Sequence, residues 1–266
     1  MSHLEAILIG IIQGLTEFLP VSSSGHIELS KAIFGTELEE GLLFTVVLHA
    51  ATALSTVVVF RKDLLQIIRG LFQFKWNEET RFSLFVVISM IPAAIVGLTL
   101  EEQIEKLFDK NVLLVGCMLL LTGLILFISD RIEKSKTDAV STPIAIVMGL
   151  VQAIAILPGI SRSGSTIATG VLMGFNRSKA ARFSFIMVLP LIAGAALKKF
   201  MDYMEADTAS TGLAVDVMSL GFIAAFLSGV IAIRWMIKLV ERSQLKWFAV
   251  YCLLAGVASI AWSLSS

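Results

Sequence analysis

Two short polar segments interrupt apolar stretches of this sequence and hold most of the side chains that could do chemistry. In the first, Gln13 and Glu17 are four residues apart, so they share one face of a helix. An ionised carboxylate inside a bilayer costs roughly 2.5–3.5 kcal/mol on insertion scales unless it is paired or hydrated. If this stretch lies in a membrane, Glu17 is expected to bind a metal ion or handle protons in a polar cavity. A glutamate that only packs against a neighbouring helix is the alternative.

His26 follows three serines and a glycine at the expected start of a helix: Ser22, Ser23, Ser24 and Gly25. An imidazole there can act as a general acid or base, or as a nucleophile. A buried histidine with satisfied hydrogen bonds is the alternative. His49 lies in the middle of another apolar stretch, where an interhelical hydrogen bond is the expected role.

The second polar segment, 158–164, has no acid and one arginine, Arg162. A guanidinium flanked by serine and glycine at a helix start suits phosphate, because backbone N–H groups, hydroxyls and the helix dipole all favour an anion. The flanking residues are Gly159, Ser161, Ser163 and Gly164. A structural ion pair between Arg162 and Glu17 is the alternative. Neither segment contains a P-loop, so nucleotide hydrolysis is disfavoured.

The elements that position these residues follow from the composition. Of 266 residues, 56% are hydrophobic and only 16% charged, against roughly 25% charged in an average soluble protein. Lys and Arg number 21, as do Asp and Glu, which excludes a nucleic-acid binder that relies on bulk positive charge. The chain is predicted to be a polytopic membrane protein.

Six apolar windows are long enough to span a bilayer, which takes about 20 residues. They are 41–60, 83–100, 112–129, 180–197, 217–233 and 247–264. Two further apolar segments, 4–34 and 142–175, are broken by the polar segments. Their second arms, 26–34 and 165–175, are too short to cross. Each is predicted to be a re-entrant helix–loop–helix, since irregular backbone at membrane depth is tolerated only inside protein or beside a wet cavity.

The distribution of basic residues predicts the orientation. Loops 61–82, 130–141, 174–182 and 234–246 contain 15 Lys and Arg, whereas loops 36–40, 101–111 and 198–213 contain 4. The first group is therefore assigned to the cytoplasm. Both termini then lie outside, provided that the two broken segments are re-entrant.

The two broken segments also match in sequence at an offset of 139 residues. The matched pairs are Gly10 with Gly149, Gln13 with Gln152, Ser22 with Ser161, Ser24 with Ser163, and Gly25 with Gly164. The predicted fold class is thus an all-α polytopic membrane protein with an inverted-topology repeat in a single integral membrane domain, 1–266. Each half, about 1–129 and 142–264, has one re-entrant helix–loop–helix and three transmembrane helices, and the two polar tips meet.

Such an architecture leaves two classes of function open. Inverted repeats with broken helices are typical of secondary transporters, so a transporter or lipid flippase could use Arg162 and Glu17 to bind an anion and a coupling ion. Hydrolysis of an anionic lipid at the same site is the other reading. Phosphate release in detergent, where no compartments exist, separates the two.

With both tips in view, the chain resembles the bacterial undecaprenyl-diphosphate phosphatases, the bacitracin-resistance proteins, over essentially its whole length. The resemblance rests on the (E/Q)-x-x-x-E motif at Gln13 and Glu17, on residues 19–26 and 158–164, and on 181–185 followed by Pro190. The first motif position is Gln rather than Glu, so this motif offers only one carboxylate to a metal.

The resemblance implies hydrolysis of undecaprenyl diphosphate to undecaprenyl phosphate and inorganic phosphate, which recycles the lipid carrier of cell-wall synthesis. Arg162 and the serine and glycine backbone groups would clamp the diphosphate, and Glu17 with Gln13 would hold Mg²⁺ or Ca²⁺. The nucleophile would be His26, or Ser23 activated by His26, or water.

The same resemblance implies a multi-pass protein of the bacterial plasma membrane with an extracytoplasmic active site. Its partners would be the isoprenoid lipid diphosphate and membrane lipid, with bacitracin competing for the substrate and no nucleic acid. Small residues such as Gly194, Ala195 and Ala196 would allow close helix packing, including that of a homodimer.

Overall fold

The computed structural model of this chain describes residues 1–34, 42–100, 103–104, 107, 111–132, 137–205 and 215–265. These residues are helical apart from turns, short loops and one isolated bridge between Thr137 and Phe175. The main helices, in chain order, are α1 His3–Phe18, α2 Ser23–Phe34, α3 Leu42–Val59, α4 Arg61–Leu71, α5 Glu78–Thr99, α6 Val112–Asp130, α7 Thr142–Ile154, α8 Arg162–Leu172, α9 Arg177–Glu205, α10 Val215–Glu241 and α11 Lys246–Ser265.

Five helices in the described residues are long and apolar enough to cross a membrane: α5, α6, α9, α10 and α11. A sixth span is reached if α3 and α4, which bend by 76° at Phe60, count as one. All six predicted windows therefore fall on helices, and the prediction of an all-helical polytopic membrane protein is confirmed.

Helix α4 is not predicted from the sequence, which indicates a loop at 61–82. Leu65 and Ile68 are 51% and 47% exposed on this short helix, and Lys62 and Arg69 lie on it as well. Exposed apolar residues combined with basic ones are typical of a helix that lies in the membrane–water interface.

Both broken segments form helix pairs, but their second helices begin earlier than the sequence indicates. Helix α2 starts at Ser23 and α8 at Arg162, whereas starts after Gly25 and Gly164 are expected from the glycine and serine content. The reason is N-capping. The hydroxyls of Ser22 and Ser161 accept hydrogen bonds from the N–H groups of Gly25 and Gly164, at 3.2 and 3.1 Å.

The first helix of each broken segment packs on a span of the other half of the chain. Helix α1 packs along α10, and α7 packs along α5. Glycines permit the close approach: a Cβ on Gly149 would lie 2.6 Å from the Ser89 carbonyl oxygen, and one on Gly10 would lie 2.5 Å from that of Gly221. The contacts leave an interior space next to the two breaks.

Candidate active site

A cavity of about 590 Å³ lies between the two breaks and helices α3, α5 and α9. Its polar side chains come from both breaks and from three helices: Thr16, Glu17, Ser22, Ser23, Ser24, His49, Gln152, Ser161, Arg162 and Lys198. Small and apolar residues of α5 and α9 form most of the remaining wall, among them Ala93, Gly97, Leu191 and Gly194. The cavity thus joins a polar region to an apolar one.

The two breaks are in direct contact. Arg162 Nη2 donates a hydrogen bond to Glu17 Oε1 and forms an ion pair with it. The Ser163 hydroxyl donates to the Leu19 carbonyl oxygen at 3.4 Å. The alternative reading of Arg162, an ion pair with Glu17, is therefore the arrangement that the structure shows.

Glu17 collects three donors around one buried carboxylate. Its Oε2 accepts from Gln13 Nε2 at 3.2 Å and from the Ser23 hydroxyl at 3.4 Å, and its Oε1 accepts from Arg162. The Glu17 side chain is 7% exposed, whereas that of Arg162 is 24% exposed. Within the described part of the chain, no other hydrogen bond from the guanidinium to protein is formed. Arg162 therefore has N–H groups available for an anion in the cavity.

The two helix starts at the cavity are built alike. In each, the first serine caps the helix and its hydroxyl lies near that of the serine two residues later, at 3.5 Å for Ser22 and Ser24 and at 3.3 Å for Ser161 and Ser163. The first N–H groups of a helix have no intrahelical partner. Two helix N-termini with serine hydroxyls therefore face one cavity, which favours binding of an anion such as phosphate.

The glycines of the predicted site allow the two breaks to touch. A Cβ on Gly25 would lie 2.9 Å from Gly159 Cα, and one on Gly164 would lie 2.8 Å from Pro20 Cβ. Gly159 has a φ of +93°, a conformation that favours glycine. Thr122 of α6 holds this turn, since its hydroxyl donates to Gly159 O at 3.2 Å and accepts from Ser161 N at 3.1 Å.

His26 is turned away from the cavity wall. Its Nδ1 lies 2.7 Å from the Ser22 carbonyl oxygen and its Nε2 lies 2.5 Å from the Tyr251 hydroxyl of α11. The two rings also stack, with centroids 5.5 Å apart. Because a carbonyl can only accept, Nδ1 carries the proton and Nε2 accepts from Tyr251 when the ring is neutral. Both ring nitrogens are thus engaged, one with Ser22 and one with Tyr251.

The predicted site residues fall into two groups. Six line the cavity: Glu17, Ser22, Ser23, Ser24, Ser161 and Arg162. Six others lie behind its wall and pack or hydrogen-bond there: Gln13, Gly25, His26, Gly159, Ser163 and Gly164.

Four polar residues of the wall, Thr16, His49, Gln152 and Lys198, are absent from the predicted site. Among the described residues, His49 forms its hydrogen bond within its own helix, where its Nδ1 lies 2.9 Å from the Thr45 carbonyl oxygen, and not the expected interhelical one. None of the four belongs to a motif, so the sequence does not distinguish them from packing or loop residues.

Oxygen atoms of Glu17 and its neighbours could bind a divalent cation that arrives with a diphosphate. In the described residues, no group of three or more His, Cys, Asp or Glu side chains could hold a metal ion alone. The Glu17 carboxylate, the Gln13 amide oxygen and the Ser23 hydroxyl are nonetheless hard oxygen donors. Mg²⁺ is commonly bound by one or two carboxylates together with substrate phosphates and water, so the residues fit such an ion.

Comparison with known proteins identifies relatives over nearly the whole chain. A family model described as bacitracin resistance protein BacA matches residues 6–258. An undecaprenyl-diphosphatase of Christiangramia forsetii is 57% identical over 265 residues, which cover 99% of both chains. Proteins of the same name are 47% identical in Parabacteroides distasonis, covering 99% of both chains, and 37% identical in Carboxydothermus hydrogenoformans, covering 97% of this chain and 96% of the relative.

Proposed function

The chain belongs to the BacA family of bacitracin resistance proteins, and we propose that it hydrolyses undecaprenyl diphosphate to undecaprenyl phosphate and inorganic phosphate. The observation that carries the proposal is the cavity. It brings Arg162 and two serine-rich helix N-termini beside a wall that is mostly apolar on the side of α5 and α9. A lipid diphosphate needs this combination, because its head is a polyanion and its tail is a hydrocarbon.

The positively charged and N–H groups of the cavity bind the diphosphate, and water completes its hydrolysis. Arg162 and the backbone N–H groups of α2 and α8 bind the phosphoryl oxygens. The oxygen between the two phosphorus atoms stays with the lipid when its bond to the terminal phosphorus breaks. Water supplies the oxygen that ends on inorganic phosphate, either directly or after transfer of the phosphoryl group to a side chain.

Ser23 is the better placed of the two side-chain nucleophiles. It lies on the cavity wall, and its hydroxyl donates to Glu17 Oε2 at 3.4 Å. The His26 ring lies behind the wall, where it contacts Ser22 and Tyr251. On this proposal His26 orders the start of α2, and Ser23 attacks the terminal phosphorus as its hydroxyl proton passes to Glu17 Oε2. Water then hydrolyses the phosphoserine and releases inorganic phosphate.

Mg²⁺ or Ca²⁺ is the proposed cofactor, held by Glu17 and Gln13 together with the diphosphate. Such an ion, when bound, offsets the negative charge that the phosphoryl groups bring into the cavity. Since one carboxylate is a weak site by itself, the expected result is tight metal binding only with the lipid diphosphate. Calorimetric titration of the metal with and without substrate analogue tests this, and equally tight binding to the free protein would contradict it.

The proposed location is the bacterial plasma membrane, with the cavity open to the extracytoplasmic side and bacitracin competing for the substrate. A homodimer is also proposed, and crosslinking in native membranes tests it.

Release of inorganic phosphate by the purified protein in detergent tests the function. Undecaprenyl diphosphate with Mg²⁺ or Ca²⁺ should yield phosphate catalytically, whereas Arg162→Ala should not. The relatives named above are phosphatases by name and give transport no support. Binding of the lipid diphosphate without any phosphate release would contradict the proposal.

A further inference from the structure

Gln152 is a buried amide without a partner among the residues that the structure describes. It lies in the last turn of α7, is 2% exposed and belongs to the cavity wall. Neither its Nε2 nor its Oε1 forms a hydrogen bond with any described residue. Buried polar groups are nearly always paired, and an unpaired one calls for an explanation such as a ligand.

The matching residue of the first broken segment shows what is missing. Gln13 donates to Glu17, four residues further along the same helix. The position four residues after Gln152 is Ile156, which is apolar and also lines the cavity. The second segment therefore carries the amide without the carboxylate that engages its counterpart.

Gln152 also differs from the other buried polar atoms that lack a partner among the described residues. These belong to Ser165, Arg177 and Arg182, and none of the three residues lines the cavity. The unpaired atoms that border the cavity are thus those of one amide, which offers both a donor and an acceptor.

We propose that Gln152 is a direct ligand of the substrate head group, a role that rests on the proposed function. Its Nε2 donates a hydrogen bond to a phosphoryl oxygen of the diphosphate, next to the oxygens bound by Arg162. Its Oε1 accepts from a water molecule or a protonated phosphoryl oxygen beside it. A neutral amide adds a hydrogen bond without a further positive charge, so it supports binding and still permits release of phosphate.

Two substitutions of Gln152 separate this role from a structural one. Gln152→Leu removes the unpaired amide at similar volume, so the melting temperature in detergent should stay equal or rise while kcat/KM falls at least 10-fold. Gln152→Glu places a carboxylate against the phosphoryl oxygens and should lower kcat/KM further than Gln152→Leu. A purely structural amide would instead give lower stability and near-normal kinetics in the molecules that fold.

Ser165→Ala is the matched control. Its hydroxyl is also buried and unpaired, but it does not border the cavity. The variant should match Gln152→Leu in stability and the native protein in kcat/KM. Loss of activity in both variants to the same extent would overturn the assignment, since it would trace the effect to packing.

A binding measurement distinguishes failure of this inference from failure of the proposed function. Methylenediphosphonate, a non-hydrolysable diphosphate, should raise the melting temperature of the native protein and of Ser165→Ala, and raise that of Gln152→Leu much less. Equal shifts in all three would overturn the role of Gln152 even if the native protein is an active phosphatase. If the native protein releases no phosphate, the same shifts still decide whether Gln152 binds the diphosphate.

Discussion

The ion pair between Arg162 and Glu17 should contribute both to the stability of the fold and to phosphate release. Arg162→Ala leaves the Glu17 carboxylate buried without its cation, and loss of one partner of a buried pair costs about 3–5 kcal/mol. The double variant Arg162→Leu with Glu17→Leu removes both charges and should recover most of that stability. Neither variant should release phosphate. Thermal unfolding in detergent and the phosphate assay measure the two effects separately.

Arg182 and Asp63 provide a control for this pair. They form an ion pair at 2.8 Å with side chains 39% and 31% exposed, and exposed pairs contribute about 0–1 kcal/mol. Arg182→Ala should therefore retain activity and nearly all stability. A double variant of Arg162 and Glu17 with substantial turnover would contradict the role given to the cavity.

Substitution of Ser23 tests its proposed role as the nucleophile. Ser23→Ala should lose phosphate release while its fold stays intact, and acid quenching of the native protein should trap phosphate on Ser23. Tyr251→Phe removes the hydroxyl that contacts His26 Nε2 but keeps the stacked ring. This variant should lose less than about 10-fold of activity, because it affects only a residue behind the cavity wall.

Mass spectrometry of the quenched protein distinguishes the outcomes. Phosphate found on His26 would contradict the assignment of Ser23. Full activity of Ser23→Ala would show that water attacks the phosphorus directly.

The conformation of the turn before α8 depends on Gly159. Gly159 has a φ of +93°, and a Cβ there would lie 2.5 Å from the Val115 carbonyl oxygen of α6. Gly159→Ala should therefore push the turn away from Thr122, move Ser161 and Arg162, and lower both the melting temperature and kcat. A destabilisation of about 1–3 kcal/mol is expected from the backbone conformation alone.

Gly97→Ala is the matched substitution in an open position. Nothing lies within 4 Å of a Cβ placed on Gly97 of α5, and alanine favours a helix over glycine by roughly 0.5–1 kcal/mol. The melting temperature of this variant should rise slightly in the same unfolding experiment. A larger loss of stability at Gly97 than at Gly159 would contradict the packing described for the two breaks.

Sequence patterns locate the helices better than they locate their ends and their neighbours. Apolar length alone predicts the six spans, because the bilayer fixes how many residues a helix needs. It does not predict α4, since α4 is amphipathic and lies in the loop assigned to 61–82. The starts of α2 and α8 are misplaced because serine favours both loops and N-caps, and only the bonds from Ser22 and Ser161 decide between them.

The candidate site was predictable where a motif marks it. Glu17, Arg162 and the serines stand out as polar residues at breaks in apolar segments, and all of them except Ser163 line the cavity. The position of His26 was not predictable, since its neighbour Tyr251 is 225 residues away in sequence. Gln152 is marked only by its match to Gln13, and its lack of a partner is visible only once the surrounding helices are in place.

The inverted repeat, which relates the two halves of the molecule, stays a prediction, although several contacts support it. The caps at Ser22 and Ser161 are alike, and α1 packs on α10 as α7 packs on α5. Ser89 and Ser228, each on one of these partner spans, are also 139 residues apart. The sidedness depends on the distribution of Lys and Arg, because the contacts alone do not tell which face is cytoplasmic.

Labelling of single cysteines in a cysteine-free background tests the predicted orientation. Phe74 and Ser243 lie in the lysine- and arginine-rich loops 61–82 and 234–246, whereas Asn111 lies in the opposite loop, 101–111. Because the positive-inside rule orients short loops, Asn111→Cys should react with a membrane-impermeant maleimide in intact cells. Phe74→Cys and Ser243→Cys should react only after permeabilisation. Labelling of Phe74→Cys and Asn111→Cys from the same side would contradict the threading and, with it, an inverted repeat of two halves with three spans each.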